Sequence, residues 1–229
     1  MKERIIRYLE IIFTALIFSS QTILEAGYYV SIMAIPLLPY IMRYFTGPYG
    51  LDTLISEFLL MTLPSRFIVG RSVALAGVIV LFVSTRQWLR GHKRNVGLFK
   101  TGLYAKVRHP QFTGIIFITL GLTIMTLTWG TSSVPELVGL WFLQVIGYTA
   151  LAKFEDWRLS KKCGNEHTEY KSKVPFLYPI KNFRKIPELP FTIIITLIIC
   201  AILLVLPYDL IRIYSIKLYD EPIGTWLYG

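Results

Sequence analysis

Cysteine is almost missing from this chain of 229 residues. Cys163 and Cys200 are the only two, far apart and without metal-ligand spacing, which excludes a disulfide framework and a zinc site. Acid is scarce as well, with 14 Asp and Glu against 24 Lys and Arg, and none lies between Arg86 and Arg108. No small-residue cleavage site follows the charged start of MKERIIRYLEIIFTALIFSSQTIL, so that run reads as a retained helix rather than a removable leader. Internal repeats and low-complexity linkers are also absent. What the chain has in excess is apolar residues: 54% are hydrophobic and the mean hydropathy is +0.53, too apolar for a soluble domain of this length. Sixteen of the basic residues fall in two blocks, Arg86 to Arg108 and Lys153 to Lys185. Such clustering marks cytoplasmic loops rather than a nucleic-acid surface, so neither nucleic acid nor metal is an expected partner.

The fold class expected is therefore all-α, a polytopic helical membrane protein with about five or six transmembrane helices. Crossing the hydrocarbon core takes about 20 apolar residues, and the candidates are Ile5 to Leu24, Arg71 to Leu89, Thr113 to Trp129, Val134 to Ala152 and Phe191 to Pro207. Ala26 to Phe45 is weakened by Pro36 and Pro39 and reads as a bent or re-entrant element. Leu54 to Leu63 is too short to cross. Only Gly130 to Ser133 joins the third and fourth candidates, so Thr113 to Ala152 is an antiparallel helical hairpin that returns its two ends to one membrane face. Three regions follow: 1–69, an N-terminal membrane region of unclear role; 70–185, the core; and 186–229, a C-terminal helix and tail.

Two charged segments flank the hairpin. The first, LFKTGLYAKVRHPQFTGIIFITLG (Leu98 to Gly121), offers Gly102 for a turn, Pro110 at a natural first helical position, and Gly114 and Gly121 about two turns apart. Those two glycines open one helix face to close approach. The second, KFEDWRLSKKCGNEHTEYKSKVPFLYPI (Lys153 to Ile180), places Glu155 and Asp156 just beyond apolar residues, where ionised groups are expensive unless paired or wet. Read blandly, these are a basic anchor and an ordinary salt bridge from the acids to Lys153 or Arg158. Read together, Arg108, His109, Glu155 and Asp156 meet at the same interface and form a mixed-charge pocket. The two acids adjoin in sequence and so point about 100° apart on a helix, which predicts different tasks for them.

The paired segments resemble the isoprenylcysteine carboxyl methyltransferase and phospholipid methyltransferase superfamily of integral membrane enzymes. The first half of that pattern appears as Gly102, Tyr104, Arg108, His109, Pro110, Phe112, Gly114 and Gly121, and the second as Glu155, Asp156, Leu159, Gly164, Tyr170, Val174, Pro175 and Pro179. The resemblance covers roughly Arg71 to Ile180. Phe112, His167 and Asp156 depart from the usual Tyr, Tyr and Glu, and Lys153 stands nearest to where an Arg is common. Lys lacks the planar two-point grip that Arg gives a carboxylate.

The resemblance implies S-adenosylmethionine as cofactor, bound between two cytoplasmic segments. It places Tyr104, His109, the Gly114 region and Tyr170 on the cofactor, Arg108 on its methionine carboxylate, and Glu155 on its ribose hydroxyls or ammonium. Asp156 and Arg158 fall on the acceptor side as the catalytic candidates. The acceptor implied is lipidic or amphipathic, like an isoprenylcysteine carboxylate or a phospholipid amine, reached laterally among membrane lipids. Two rivals stand beside this reading. One is an NADPH-dependent sterol reductase, whose first motif resembles Arg-His-x-Asn-Tyr rather than Arg108, His109, Pro110, Gln111, Phe112. The other is a non-catalytic membrane subunit that keeps the fold.

Overall fold

The computed structural model describes residues 31–46, 68–92, 97–127, 134–179 and 187–219. The expected span Ile5 to Leu24, the short Leu54 to Leu63 run, the Gly130 to Ser133 connection and the Lys181 to Lys185 end of the second basic block lie outside these. Among the described residues there is no strand, and the helices are α1 (Leu38–Thr46), α2 (Ile68–His92), α3 (Pro110–Leu127), α4 (Val134–Cys163), α5 (Asn165–Lys173) and α6 (Glu188–Tyr219).

Among the described residues, three stretches are long and apolar enough to cross a membrane: Ile68–Gly91, Glu136–Cys163 and Glu188–Val205. Two apolar helices are shorter, Ser31–Arg43 and Pro110–Thr126. In the first of these, Pro36 and Pro39 withhold backbone N–H groups, and the helix tightens into a 3₁₀ turn over Ile35–Leu37 before α1 begins. Helix α3, with 18 residues, is about 27 Å long, slightly under the bilayer's hydrocarbon thickness of about 30 Å.

Helix α4 is longer than its apolar run. The apolar run ends at Ala152, but the helix continues to Cys163, because the charged tail KFEDWRLSKKC is built of good helix formers. At 30 residues it is about 45 Å long, so its last turns project past the apolar layer, carrying Glu155 and Asp156 with them. Gly164 (φ +51°) then adopts a backbone conformation that other residues resist and turns the chain into α5.

Close packing of α2 on α3 is dictated by glycine on both sides. A Cβ added at Gly77 would lie 2.5 Å from the Ile118 nitrogen, and one at Gly114 would lie 2.8 Å from the Leu81 nitrogen. Gly70 faces Gly121 and Met125, so the two helices run antiparallel, with a seven-residue glycine spacing on each. The partner of the open face on α3 is thus α2. Across the other side of α3, Trp141, Val145, Tyr148 and Ala152 of α4 pack with Phe112 and Ile116 in the main core. Several polar groups in this core are paired, which a low-dielectric setting favours, although Gln144 Oε1 has no hydrogen-bond partner among the described residues. Trp141 Nε1 donates to the Ile116 carbonyl (3.3 Å), Gln144 Nε2 to Thr119 Oγ1 (3.0 Å) and the Tyr40 hydroxyl to the Thr119 carbonyl (2.9 Å). Helix α6 lies against α4 through Cys200 and Leu203, while its other face leaves Ile194, Leu197, Ile198 and Ile202 exposed, as a lipid-facing surface would be.

Candidate functional site

The site forms where five pieces of chain meet at one end of the helices. The first is the turn before α3. Gly102 (φ +64°) starts a 3₁₀ turn through Ala105, and the Leu103 N–H donates to Gln87 Oε1 on α2 (3.1 Å). The second is the Val174 to Tyr178 segment, which runs alongside. Arg108 N donates to the Pro175 carbonyl (3.0 Å), and Thr113 Oγ1 donates to the Leu177 carbonyl (2.8 Å). The Val-Pro motif therefore has a local physical role: its carbonyls hold the start of α3. The projecting end of α4, helix α5 and the first turn of α6 supply the rest.

Arg108 is the hub, with 1% of its side chain exposed. Each of its three guanidinium nitrogens has a partner: Nε donates to the Val174 carbonyl (3.2 Å), one terminal nitrogen to Asp156 Oδ2 and the other to Glu188 Oε1. The guanidinium also lies 5.1 Å from the Phe176 ring centroid, and Lys153, paired with Glu188, sits over the same ring at 4.7 Å. Lys171 Nζ is 3.9 Å from Glu188 Oε2. Buried guanidinium charge of this kind persists only when every nitrogen is satisfied.

His109 is held between the two acids, with Nδ1 3.0 Å from Glu155 Oε2 and Nε2 3.1 Å from Asp156 Oδ1. An ionised carboxylate accepts and does not donate, so two of them facing the two ring nitrogens favour the doubly protonated imidazolium. Burial alone would lower its pKa, but the hydrogen bonds it makes to Asp156 and Glu155, together with their charges, outweigh it and hold the value above the ordinary one. The ring stacks on Phe112 at 5.8 Å and meets the edge of Phe176 at 5.4 Å. His167 Nε2 approaches Asp156 Oδ1 at 3.4 Å, within ion-pair range though without hydrogen-bond alignment. Asp156 thus faces three cationic or titratable partners while 6% exposed, and Glu155, 26% exposed, stands on the open side of the same ring.

Beside this cluster is a cavity of about 510 Å³, within the range of about 300–1,000 Å³ usual for small-molecule sites. Six of the eight residues singled out by sequence line it: Tyr104, Arg108, His109, Glu155, Arg158 and Tyr170. Trp88, Phe99, Phe112 and Trp157 add aromatic wall, and Lys161 and Lys162 add charge. The Tyr170 hydroxyl donates to the Tyr104 carbonyl (2.6 Å), tying α5 to the turn. Burial raises both phenol pKa values, and the Glu155 charge raises that of Tyr104 further.

The other two residues lie elsewhere. Gly114 faces Leu81 and Gly77 on α2, and Asp156 sits behind His109, away from the cavity. Both acids reach His109, and Asp156 also pairs with Arg108. Their 100° divergence is real, yet both reach one imidazole because its two nitrogens face different ways. Glu188, His167 and Phe176 were not picked out by sequence. For Glu188 a signal existed, since an acid opening a long apolar helix is worth examining. The chain matches no family model, no curated protein and no solved structure.

Proposed function

We propose that the chain is an S-adenosylmethionine-dependent integral membrane methyltransferase acting on a lipidic or amphipathic acceptor. The observation that carries this reading is convergence. Tyr104, Arg108 and His109 come from one side of the helical hairpin and Glu155, Arg158 and Tyr170 from the other, and all six line one cavity at the end of the apolar helices.

The residues present fit the cofactor. The cavity pairs aromatic walls, suited to an adenine ring and to a sulfonium cation, with a carboxylate, Glu155, suited to ribose hydroxyls or an ammonium. Its cations suit a carboxylate. Because all three nitrogens of Arg108 are engaged by the protein, the cavity cations that meet a ligand's carboxylate in this reading are Arg158, Lys161 and Lys162. S-adenosylmethionine supplies an electrophilic methyl group on sulfur. The protein's part is to hold donor and acceptor in line and to exclude water. His109, clamped between two carboxylates, orients the wall and does not accept a proton. Asp156 acts from behind it, and Arg158 stands at the cavity on the acceptor side.

With this reading goes a membrane arrangement of about five or six spans, with both basic blocks and the cofactor site on the cytoplasmic side, where the cofactor is made. Cysteine accessibility labelling at Lys93 and Lys181 should place the two on one face, and opposite faces would undo the shared pocket. The function itself is tested by titrating purified protein in nanodiscs with S-adenosylmethionine and with NADPH. Micromolar-range binding of the first is expected. Saturable NADPH binding without it would turn the reading to a reductase, which the cations Arg158, Lys161 and Lys162 would serve by meeting a 2′-phosphate. Binding of neither by folded protein would leave a non-catalytic subunit.

A further inference from the structure

The C-terminal helix α6 begins with a carboxylate that no membrane span requires. Glu188 lies 80 residues from Arg108 in sequence yet takes one terminal guanidinium nitrogen, while its second oxygen takes Lys153 and lies near Lys171. It does not line the cavity. From Arg108 the contacts continue in an unbroken line: Arg108 to Asp156 Oδ2, Asp156 Oδ1 to His109 Nε2, and His109 to the cavity wall.

We propose that Glu188 is a positioning residue of the site, acting through Arg108 and Asp156 to hold His109 in the cavity wall. The physical argument is one of charge sharing. A buried guanidinium needs its charge balanced, and two carboxylates divide that task. With Glu188 on one nitrogen, Asp156 gives Arg108 only one oxygen and keeps the other for His109. Without Glu188, Arg108 has a single carboxylate and competes with His109 for both of its oxygens. The ring then loses its inner anchor and is held by Glu155 alone, on the exposed side. Lys153 and Lys171 would at the same time lose the acid that draws them together. The N-terminus of α6 thereby belongs to the functional site, and the segment beginning at residue 186 is more than a membrane anchor.

The groups that face His109 are few enough to make the effect readable. Glu155 and Asp156 face it from α4, with Tyr104 beside Glu155 and His167 and Tyr170 of α5 near Asp156. Arg108 adjoins it, with Glu188, Lys153 and Lys171 beyond. Removing one nearby negative charge favours the neutral ring.

The test compares Glu188→Gln, Glu188→Asp and Leu203→Ala in the full chain. Leu203 packs α6 on α4 without touching the cluster, so its truncation measures what loosening α6 does by itself. The first readout is the titration of His109 by ring-nitrogen NMR, which does not depend on the methyltransferase reading. Its midpoint should fall in Glu188→Gln, recover at least in part in Glu188→Asp, and stay in place in Leu203→Ala. The second readout, which does rest on that reading, is steady-state methyl transfer. Turnover should drop in Glu188→Gln by up to about a hundredfold, as misplacement in a site does. An unmoved His109 titration in folded Glu188→Gln overturns the proposal, as does an equal shift in Leu203→Ala. A moved titration with no methyl transfer in the unmodified protein overturns the function while leaving the coupling intact. If Glu188→Gln does not fold, Glu188→Ala, which also removes the charge, carries the same two readouts, and values indistinguishable from the unmodified chain refute the role.

Discussion

Asp156→Asn is the substitution for which the structure makes the firmest demand. It keeps the shape of the side chain and removes one charge from a position 6% exposed, where Arg108, His109 and His167 all approach. Arg108 would be left with Glu188 on one nitrogen, and His109 with Glu155 on its exposed side. Breaking a buried pair by removing one partner costs about 3 to 5 kcal/mol, because an uncompensated charge stays behind. That is a large share of a total stability of about 5 to 15 kcal/mol, and for a chain of this size it corresponds to a fall in Tm of roughly 6 to 20 °C. Thermal unfolding in detergent, followed by helical circular dichroism, reads the change. Combining Asp156→Asn with Arg108→Met should be less harmful than the two single effects added, since the second change removes the charge stranded by the first. A single variant within about 0.5 kcal/mol of the unmodified protein, the range of ordinary surface substitutions, would refute the buried network. So would strict additivity of the two changes.

Glu155→Gln should behave differently, weakening S-adenosylmethionine by roughly ten- to a hundredfold with little loss of fold, since removing one hydrogen-bonded charge costs about 1.5 to 3 kcal/mol; calorimetry at matched folded concentration separates it from Asp156→Asn. Gly114→Ala should lower stability by about 1 to 3 kcal/mol through overpacking against Leu81 and leave cofactor affinity of the folded fraction unchanged; a selective loss of binding would instead put Gly114 in the cofactor site. Stability should also fall as pH rises. His109 has a folded-state pKa above its ordinary 6.5, so its contribution is complete below that value and is lost as pH climbs through the higher folded one. Thermal midpoints across neutral and mildly alkaline pH should decline in the unmodified chain and flatten in His109→Gln. Tyr170→Phe, which deletes the bond to the Tyr104 carbonyl, should cost about 1 kcal/mol, readable as a lower unfolding midpoint.

Much of the site was legible because its chemistry is concentrated in two short segments and the hairpin between them has only one way to fold back. What stayed hidden was hidden for specific reasons. The end of α4 at Cys163 was not legible from hydropathy, which reports where apolar residues stop, whereas helix formation beyond Ala152 depends on the backbone preferences of Lys, Glu, Leu and Arg. The function of Gly114 was split between two readings, cofactor approach and helix approach. The matching seven-residue spacing of Gly70 and Gly77 on α2 was visible in the sequence and favours the second. Glu188 was out of reach by pattern alone, since no local periodicity links it to Arg108 across 80 residues. The convergence of Glu155 and Asp156 on one ring required knowing that the ring stands between them.

The protonation of His109 bears on which chemistry the cavity suits. Reduction of a carbon–carbon double bond by hydride needs a group that gives up a proton to the substrate, and a histidine at the wall is the obvious source. Here both ring N–H groups already donate to carboxylates, and those same carboxylates raise the pKa, so the ring holds its protons tightly. The phenols of Tyr104 and Tyr170 are raised by burial, and the Tyr170 proton is committed to the Tyr104 carbonyl. Lys161 sits 3.9 Å over the Trp157 ring, a position suited to an anion at the cavity rather than to proton transfer within it. A wall that neither gives nor takes protons readily is poorly matched to reduction. A displacement at a sulfonium carbon, the step in the function proposed above, asks instead for alignment and dryness, because its barrier falls through those.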